Sequence, residues 1–368
     1  MKIAFVGDIS LNDDYCSINN IKFIPKIFEN IREFIDKNKI DLLIGNLESP
    51  LPGDGKQNLL KSPRVHSCPF VIEALAVLRP NILTLANNHI YDCLETGFTN
   101  TLDWLKDRSF QYLGAGLTQE EAARSVCLNI DGESISLLAY VSKETGPSLP
   151  SNCGIFINFL DPEEVINDIK RECGNKFVIV SLHWGIEFGH YPSPRQISIA
   201  RSFIDAGAGL VVGHHTHTLQ GFEKYKNGYI YYSLGNFSFA DIIKNTHVPV
   251  VWTKDQRHGG IAVVEIKNGV ANTAELVPTF IQNNLSVKIE TACLWHKIVE
   301  QRSRLLKWPG CFFVLFWSIY QFNELIFKQP LRYFFGKRRN IFVQLQQLRA
   351  KHFLYFLQYI KTFFKDIR

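Results

Sequence analysis

The sequence predicts an α/β fold, with a mixed sheet or two stacked sheets packed between helices. Three observations lead there. Short apolar runs rich in Ile, Val and Leu alternate with longer helix-spaced stretches through the first 215 residues. Hairpin signals stand in the second half at Asp131-Gly132, Asn227-Gly228 and Asn268-Gly269. The chain has 368 residues, 46% apolar and 20% charged, a globular composition with room for one large domain and an appendage.

Taken in order, Ile3–Val6, Leu42–Ile44, Ile82–Leu85, Phe177–Leu182 and Leu210–Val212 read as buried strands, each ending in polar or glycine residues. Between them, Ile21–Lys37, Phe70–Leu78, Glu95–Arg108, Pro162–Cys173 and Pro194–Ala206 carry helical spacing. The last two open on Pro, whose missing N–H does no harm in a first turn. Val126–Ile130 with Ser134–Val141, Gly221–Tyr225 with Tyr229–Ser233, and Ile261–Ile266 with Val270–Leu276 read as the three hairpins.

Past Pro278 the character changes. Leu294–Lys307 reads as a helix, and Cys311–Tyr320 is apolar and aromatic until Gln321, Asn323 and Glu324 stop it short of a spanning length. Residues 340–365 mix aromatic and aliphatic residues with Lys and Arg at helical spacing. The division expected is a domain over 1–285 and a basic, aromatic-rich helical extension over 286–368. Residues 290–368 hold 14 Lys/Arg against 4 Asp/Glu, so with a whole-chain charge of +5 the remainder is −5. The extension therefore reads either as a cap on the core or as an element for an anionic membrane surface, and Lys337-Arg338-Arg339 suits that partner. The acidic remainder argues against nucleic acid, whose binding rests on phosphate neutralisation. None of the eight cysteines forms a C-x-x-C pair, and free thiols suit a reducing compartment. The start has only four consecutive apolar residues, Ile3 to Val6, too few for a signal peptide. A cytoplasmic protein, peripheral on the inner face of the membrane, is the expectation.

Five segments put metal-binding side chains directly after predicted strands: Gly7-Asp8, Asn46-Leu47-Glu48, Asn87-Asn88-His89 with Asp92, His183-Trp184-Gly185, and Gly213-His214-His215-Thr216-His217. Strand ends in an open α/β sheet face one crevice, so the five would converge. Each alone has an ordinary explanation as a turn, a cap or a core histidine. Three histidines within four residues after a buried strand are costly to bury without a metal or partners. A set of carboxylate, amide and imidazole donors without thiolate suits divalent Mn²⁺, Zn²⁺ or Fe²⁺. It also exceeds the four ligands of a structural zinc. The chemistry that follows is hydrolytic.

In that order the five segments resemble those of the bacterial capsule-synthesis protein CapA family, the poly-γ-glutamate capsule family of the calcineurin-like metallophosphoesterase superfamily. Ser233-Leu234-Gly235-Asn236-Phe237 is similar to the family's segment after the histidines. The resemblance covers residues 2–240 and extends toward 280. It implies a four-layer α/β/β/α metallophosphoesterase sandwich with two divalent metal ions and a phosphoester substrate in capsule or surface-polymer biosynthesis. It places Asp8 on one metal, Glu48 as the bridging carboxylate, Asn88 and His183 on the second, and His215 and His217 one on each. His89 takes the place of the catalytic acid, with Asp92 orienting it. Two departures stand out: Asp8-Ile9-Ser10 lacks the superfamily's histidine, and the bridge is Glu rather than Asp. Ser10 in place of that histidine, together with the basic tail, leaves open an alternative, a non-catalytic accessory subunit of a membrane polymer synthase.

Overall fold

The fold is seen in a computed structural model whose described residues are 1–18, 21–321 and 323. The strands of its first half are β1 (Lys2–Ser10), β2 (Leu42–Leu47), β3 (Ile82–Thr84), β4 (Gln111–Leu113), β5 (Ala115–Gly116), β6 (Val126–Ile130), β7 (Glu133–Val141) and β8 (Phe156–Ile157). Those of its second half are β9 (Phe177–His183), β10 (Ala208–His214), β11 (Phe222–Tyr225), β12 (Gly228–Tyr231), β13 (Asn236–Phe239), β14 (His258–Lys267), β15 (Val270–Ile281) and β16 (Val287–Ile289). The α-helices are α1 (Glu29–Asn38), α2 (Ala74–Leu78), α3 (Leu94–Asp107), α4 (Gln119–Ala123), α5 (Pro162–Glu172), α6 (Pro194–Asp205), α7 (Cys293–Leu305) and α8 (Gly310–Tyr320).

Two sheets are stacked. One runs β16-β15-β14-β1-β2-β3-β4, with β13 also paired to β1. The other runs β11-β12-β10-β9-β7-β6. Its middle strands β12, β10, β9 and β7 are parallel, which requires crossovers and helices on a face. The period of two in β9 divides the layers. Phe177 and Ile179 join the core between the sheets, while Val178, Val180 and Leu182 face Val165 and Ile169 of α5 and Phe203 of α6. Ile31, Leu75 and Phe98 of α1, α2 and α3 cover the outside of the first sheet. The architecture is an α/β/β/α sandwich.

Local chemistry explains where elements differ from the sequence reading. Residues 21–37 are not one helix: Ile21–Ile27 is a 3-10 segment containing Pro25, and α1 begins only at Glu29. Pro25 removes a backbone donor and its ring crowds the preceding turn, which an α-helix interior does not tolerate. Phe70–Leu78 likewise opens with a 3-10 turn, Val71–Glu73. Asp131-Gly132 and Asn268-Gly269 do turn their hairpins, all four residues at positive φ. The third hairpin turns one residue earlier: Tyr225 pairs with Gly228, and Lys226 takes the positive φ.

The segment from residue 286 onward contributes β16, α7 and α8 to the described structure. β16 extends the first sheet, Val299 of α7 joins the central core, and Phe313 and Trp317 of α8 pack with α6. No helix among the described residues is long and apolar enough to cross a membrane. Residues 340–365, read as an amphipathic basic helix, lie outside the described residues.

Gly7 sets how the first strand reaches the centre of the molecule. The register of β1 shifts against β2 between Phe5 and Asp8 and against β13 between Asp8 and Ile9, and a Cβ on Gly7 would stand 2.1 Å from the Gly235 carbonyl oxygen. Overpacking of that kind costs about 1–3 kcal/mol, so Gly7→Ala is expected to lower unfolding stability at the upper end of that range. A Cβ on Gly174 meets nothing within 4 Å, and Gly174→Ala is expected to change stability by less than about 1 kcal/mol. Urea denaturation of the two variants side by side checks the contrast.

Candidate metal centre

The ends of β1, β2 and β3 in one sheet meet the ends of β9 and β10 in the other. Asp8 leaves β1 fully buried. Its Oδ1 accepts from Asn46 Nδ2 at 2.8 Å and lies 3.3 Å from His214 Nδ1, while its Oδ2 accepts from the His215 backbone N–H at 3.1 Å. Glu48, directly after β2, puts Oε1 at 3.8 Å from both His183 Nε2 and His217 Nε2. The same oxygen is 4.0 Å from His89 Nε2. His183 Nε2 is 2.9 Å from Asn88 Oδ1 and 3.2 Å from His215 Nδ1.

Neighbouring groups fix which atom each side chain offers. Asn88 donates its Nδ2 to the Thr145 carbonyl, which turns Oδ1 toward His183. Asn236 donates to the Gln256 carbonyl, so its Oδ1 can only accept from His217 Nδ1, 2.8 Å away. That hydrogen bond holds His217 in the tautomer whose Nε2 faces Glu48. His89 Nδ1 lies 2.6 Å from Asp92 Oδ2, leaving its Nε2 toward the cluster. His215 and His217 occupy left-handed backbone, at φ 89° and 55°. Such non-glycine conformations store strain and persist where the surroundings over-determine them.

The electrostatics describe a pocket short of positive charge. Burial raises the Glu48 pKa well above the usual range, and the Asp8 carboxylate raises it further. Burial acts in the same direction on Asp8, but His214, His217 and Asn46 outweigh it and hold that carboxyl below its ordinary value. Burial pushes His183 well below the usual imidazole range and His215 down to about 4, keeping both rings neutral with lone pairs to give.

These residues fit divalent cations. Both oxygens of Glu48 are buried and neither has a hydrogen-bond partner, a situation that costs several kcal/mol unless something compensates it. Two sets of ligand atoms lie within 4.8 Å of one another: Glu48, His183 and His215, and Asp8, Glu48 and His217. Glu48 belongs to both. Atoms bound to one ion at about 2.1 Å stand roughly 3–3.5 Å apart, close to the spacings around His183.

All the residues expected at the site, Asp8, Glu48, Asn88, His89, Asp92, His183, His215 and His217, are brought together and buried. His214 lies against Asp8 and outside both sets. Ser10, where the resemblance implies a histidine, donates to Asn12 Oδ1 at 3.1 Å and holds a loop. Two residues escaped the sequence reading. Lys61 Nζ donates to the Asn88 carbonyl and lies 3.7 Å from Asp92 Oδ1. Glu187, whose charge acts on His215, Glu48 and Lys61, lines a cleft of about 400 Å³ with Ser142, Trp184, Arg195, Gln196 and His215. Neither sits at a strand end. The only signal for Glu187 is its place four residues after His183.

The chain belongs to the bacterial capsule synthesis protein PGA_cap family, whose profile matches residues 2–241. It is 30% identical over 279 residues to a capsule biosynthesis protein CapA of Bacillus anthracis, an alignment spanning 72% of this chain and 66% of that one. It is 29% identical over 312 residues to the PGA biosynthesis protein CapA of Bacillus subtilis, spanning 81% and 76%. A probable polyglutamine synthesis accessory protein of Mycobacterium tuberculosis is 29% identical over 216 residues, 55% of this chain and 56% of its own length. Among solved structures, a phosphatase of Mycoplasma pneumoniae superposes with a TM-score of 0.48 at 14% identity, over 81% of this chain and 96% of that one.

Asn236 offers a test that leaves every ligand in place. Asn236→Ala frees the His217 ring, and loss of such an orienting group weakens metal binding by about 10–100-fold. Calorimetric titration of the metal-stripped protein with Mn²⁺ should show that loss in the variant, with circular dichroism confirming that the stripped variant is folded.

Proposed function

We propose that this protein is a metal-dependent phosphoesterase of capsule or surface-polymer biosynthesis, with two divalent ions held at the Asp8–His217 cluster. The observation that carries the reading is Glu48, shared by two ligand sets where strand ends of both sheets converge. Asp8, Glu48 and His217 would hold one ion, and Glu48, Asn88, His183 and His215 the other. When bound, such a pair supplies polarisation of a phosphoryl oxygen and activation of the attacking water. Mn²⁺, Zn²⁺ or Fe²⁺ suits these donors.

The chain's own residues do the rest. His89, with Nε2 toward the cluster and Nδ1 against Asp92, is placed to give a proton to the leaving oxygen, and Asp92 holds the ring in that orientation. Asn236 and Asn46 keep His217 and Asp8 aimed. The cleft lined by Glu187 and Arg195 gives the substrate access beside His215. A polymer synthase or an anionic membrane surface, reached through residues 286–368, belongs to the same proposal. The +10 charge of residues 290–368 supports it, as do Phe312, Leu315 and Ile319, exposed along one side of α8.

A second reading, an accessory subunit without turnover, draws on Ser10, which faces Asn12 rather than the cluster and leaves one ligand set short. The mycobacterial relative, named as a probable accessory protein, points the same way.

Turnover separates the two. The Mn²⁺-loaded protein is expected to hydrolyse an aryl phosphomonoester or diester. Asn88→Ala and His183→Ala should abolish this, and His89→Ala should lower kcat by about 10²–10⁴-fold, the usual contribution of a positioned acid, with metal content retained. A protein that cleaves neither ester with Mn²⁺, Zn²⁺ or Fe²⁺ removes the enzymatic reading. Copurification of a synthase with His183→Ala as well as with wild type would then favour the accessory role.

A further inference from the structure

Between Glu48 and Phe70 the chain runs as a loop tied by hydrogen bonds to Asp92, Ser148 and Pro50. Asn58 donates its backbone N–H to the Asp92 carbonyl and its side chain to the Ser148 carbonyl. Val65 donates to Asp92 Oδ2 at 2.8 Å, and Ser67 to the Pro50 carbonyl at 2.8 Å. Leu59 and Leu60, at the outer turn of this loop, are exposed, whereas Lys61 is carried inward until its side chain is only 9% exposed.

An ammonium group has three donors. Among the described residues, Lys61 uses one of them, on the carbonyl of Asn88, whose side chain belongs to the ligand cluster. Asp92 Oδ1 is 3.7 Å away, beyond hydrogen-bond length, and has no hydrogen-bond partner of its own. Buried donors left unused are costly, more so on a charged group. A charged ammonium has no lone pair, so it cannot ligate a metal. An oxygen-rich anion would satisfy the donors that the Asn88 carbonyl leaves free.

We propose that Lys61 is a substrate-contacting residue whose ammonium binds an oxygen of a phosphate group held against the metal-ligand cluster. The contact rests on the phosphoesterase reading for its substrate class. It gives a purpose to a loop that places a lysine beside a ligand residue. The competing role is that of a counter-ion, with Lys61 only neutralising Asp92, Glu48 and Glu187.

Inorganic phosphate is the probe, titrated calorimetrically into the full chain loaded with Mn²⁺, with metal content measured on the same samples. Lys61→Met is expected to raise the phosphate Kd by about tenfold or more, the size of one charge-assisted hydrogen bond. Lys61→Arg should stay within about threefold of wild type, since it keeps the charge. Bound Mn²⁺ should be equal in all three. If Lys61→Met does not fold, Lys61→Gln takes its place. A phosphate affinity indifferent to the neutral substitution overturns the contact, and so does a wild type that binds no phosphate. Metal lost in step with phosphate also overturns it, because Lys61 would then support the ligand set. Turnover stands apart: phosphate bound through Lys61 without hydrolysis removes only the hydrolase reading, and hydrolysis with phosphate affinity blind to Lys61 removes only the contact.

Discussion

A carboxylate buried with neither oxygen hydrogen-bonded is the constraint around which this molecule is arranged. Glu48 sits at the end of β2, with no water access and no donor. A lone buried carboxylate either takes up a proton or meets a cation. Its neighbours are four imidazoles, those of His89, His183, His215 and His217, and burial favours the neutral, lone-pair-bearing form of His183 and His215. Negative oxygen surrounded by neutral nitrogen is a metal-binding arrangement, because a divalent ion satisfies both at once. The sandwich serves this contact: each sheet brings part of the set, and neither sheet alone has enough ligands.

The strands were legible because strands covered on both faces need continuous apolar runs, and such runs stand out from helical spacing. The ligands were legible for a related reason. A side chain just past a buried strand has a defined position, so Asp8, Glu48, Asn88, His183 and the histidine cluster could be read as one place. What could not be read is set by loops and by register. Lys61 reaches the pocket because Asn58, Val65 and Ser67 pin its loop, and no periodicity encodes those three bonds. The position of His214 against Asp8 follows from β10 still being in register with β9 at that residue. Pro25 was visible, yet only the packing shows that the chain before α1 tightens to a 3-10 turn rather than breaking.

The histidine loop shows how the fold and the site are linked energetically. His215 and His217 both hold positive φ, at a cost on the order of 1–3 kcal/mol each. That cost is offset locally. The His215 N–H is taken by Asp8, the Thr216 carbonyl accepts from Phe188 N–H at 2.7 Å, and Thr216 Oγ1 donates to Ser233 Oγ at 2.9 Å. Gly213, just before them, has no room for a Cβ, which would stand 1.9 Å from the Tyr232 carbonyl oxygen. The loop is thus held by Tyr232 and Ser233, just past β12, and by Asp8 of β1.

The same clamp reaches the C-terminal helices. Arg302 of α7 is buried, donates to the Leu219 carbonyl just beyond His217, and pairs with Asp255 at 3.2 Å. Tyr320 of α8 accepts from the His190 N–H at 2.7 Å, next to Gly189, whose carbonyl takes the Thr218 hydroxyl and the Gln220 amide. A basic region that composition alone marks for an anionic partner thus also braces the two loops carrying His217 and Glu187. Any partner that moves α7 or α8 would move those loops with them. The C-terminal helices and the cluster around Glu48 are therefore mechanically connected, through hydrogen bonds to main-chain groups that no side-chain motif reveals.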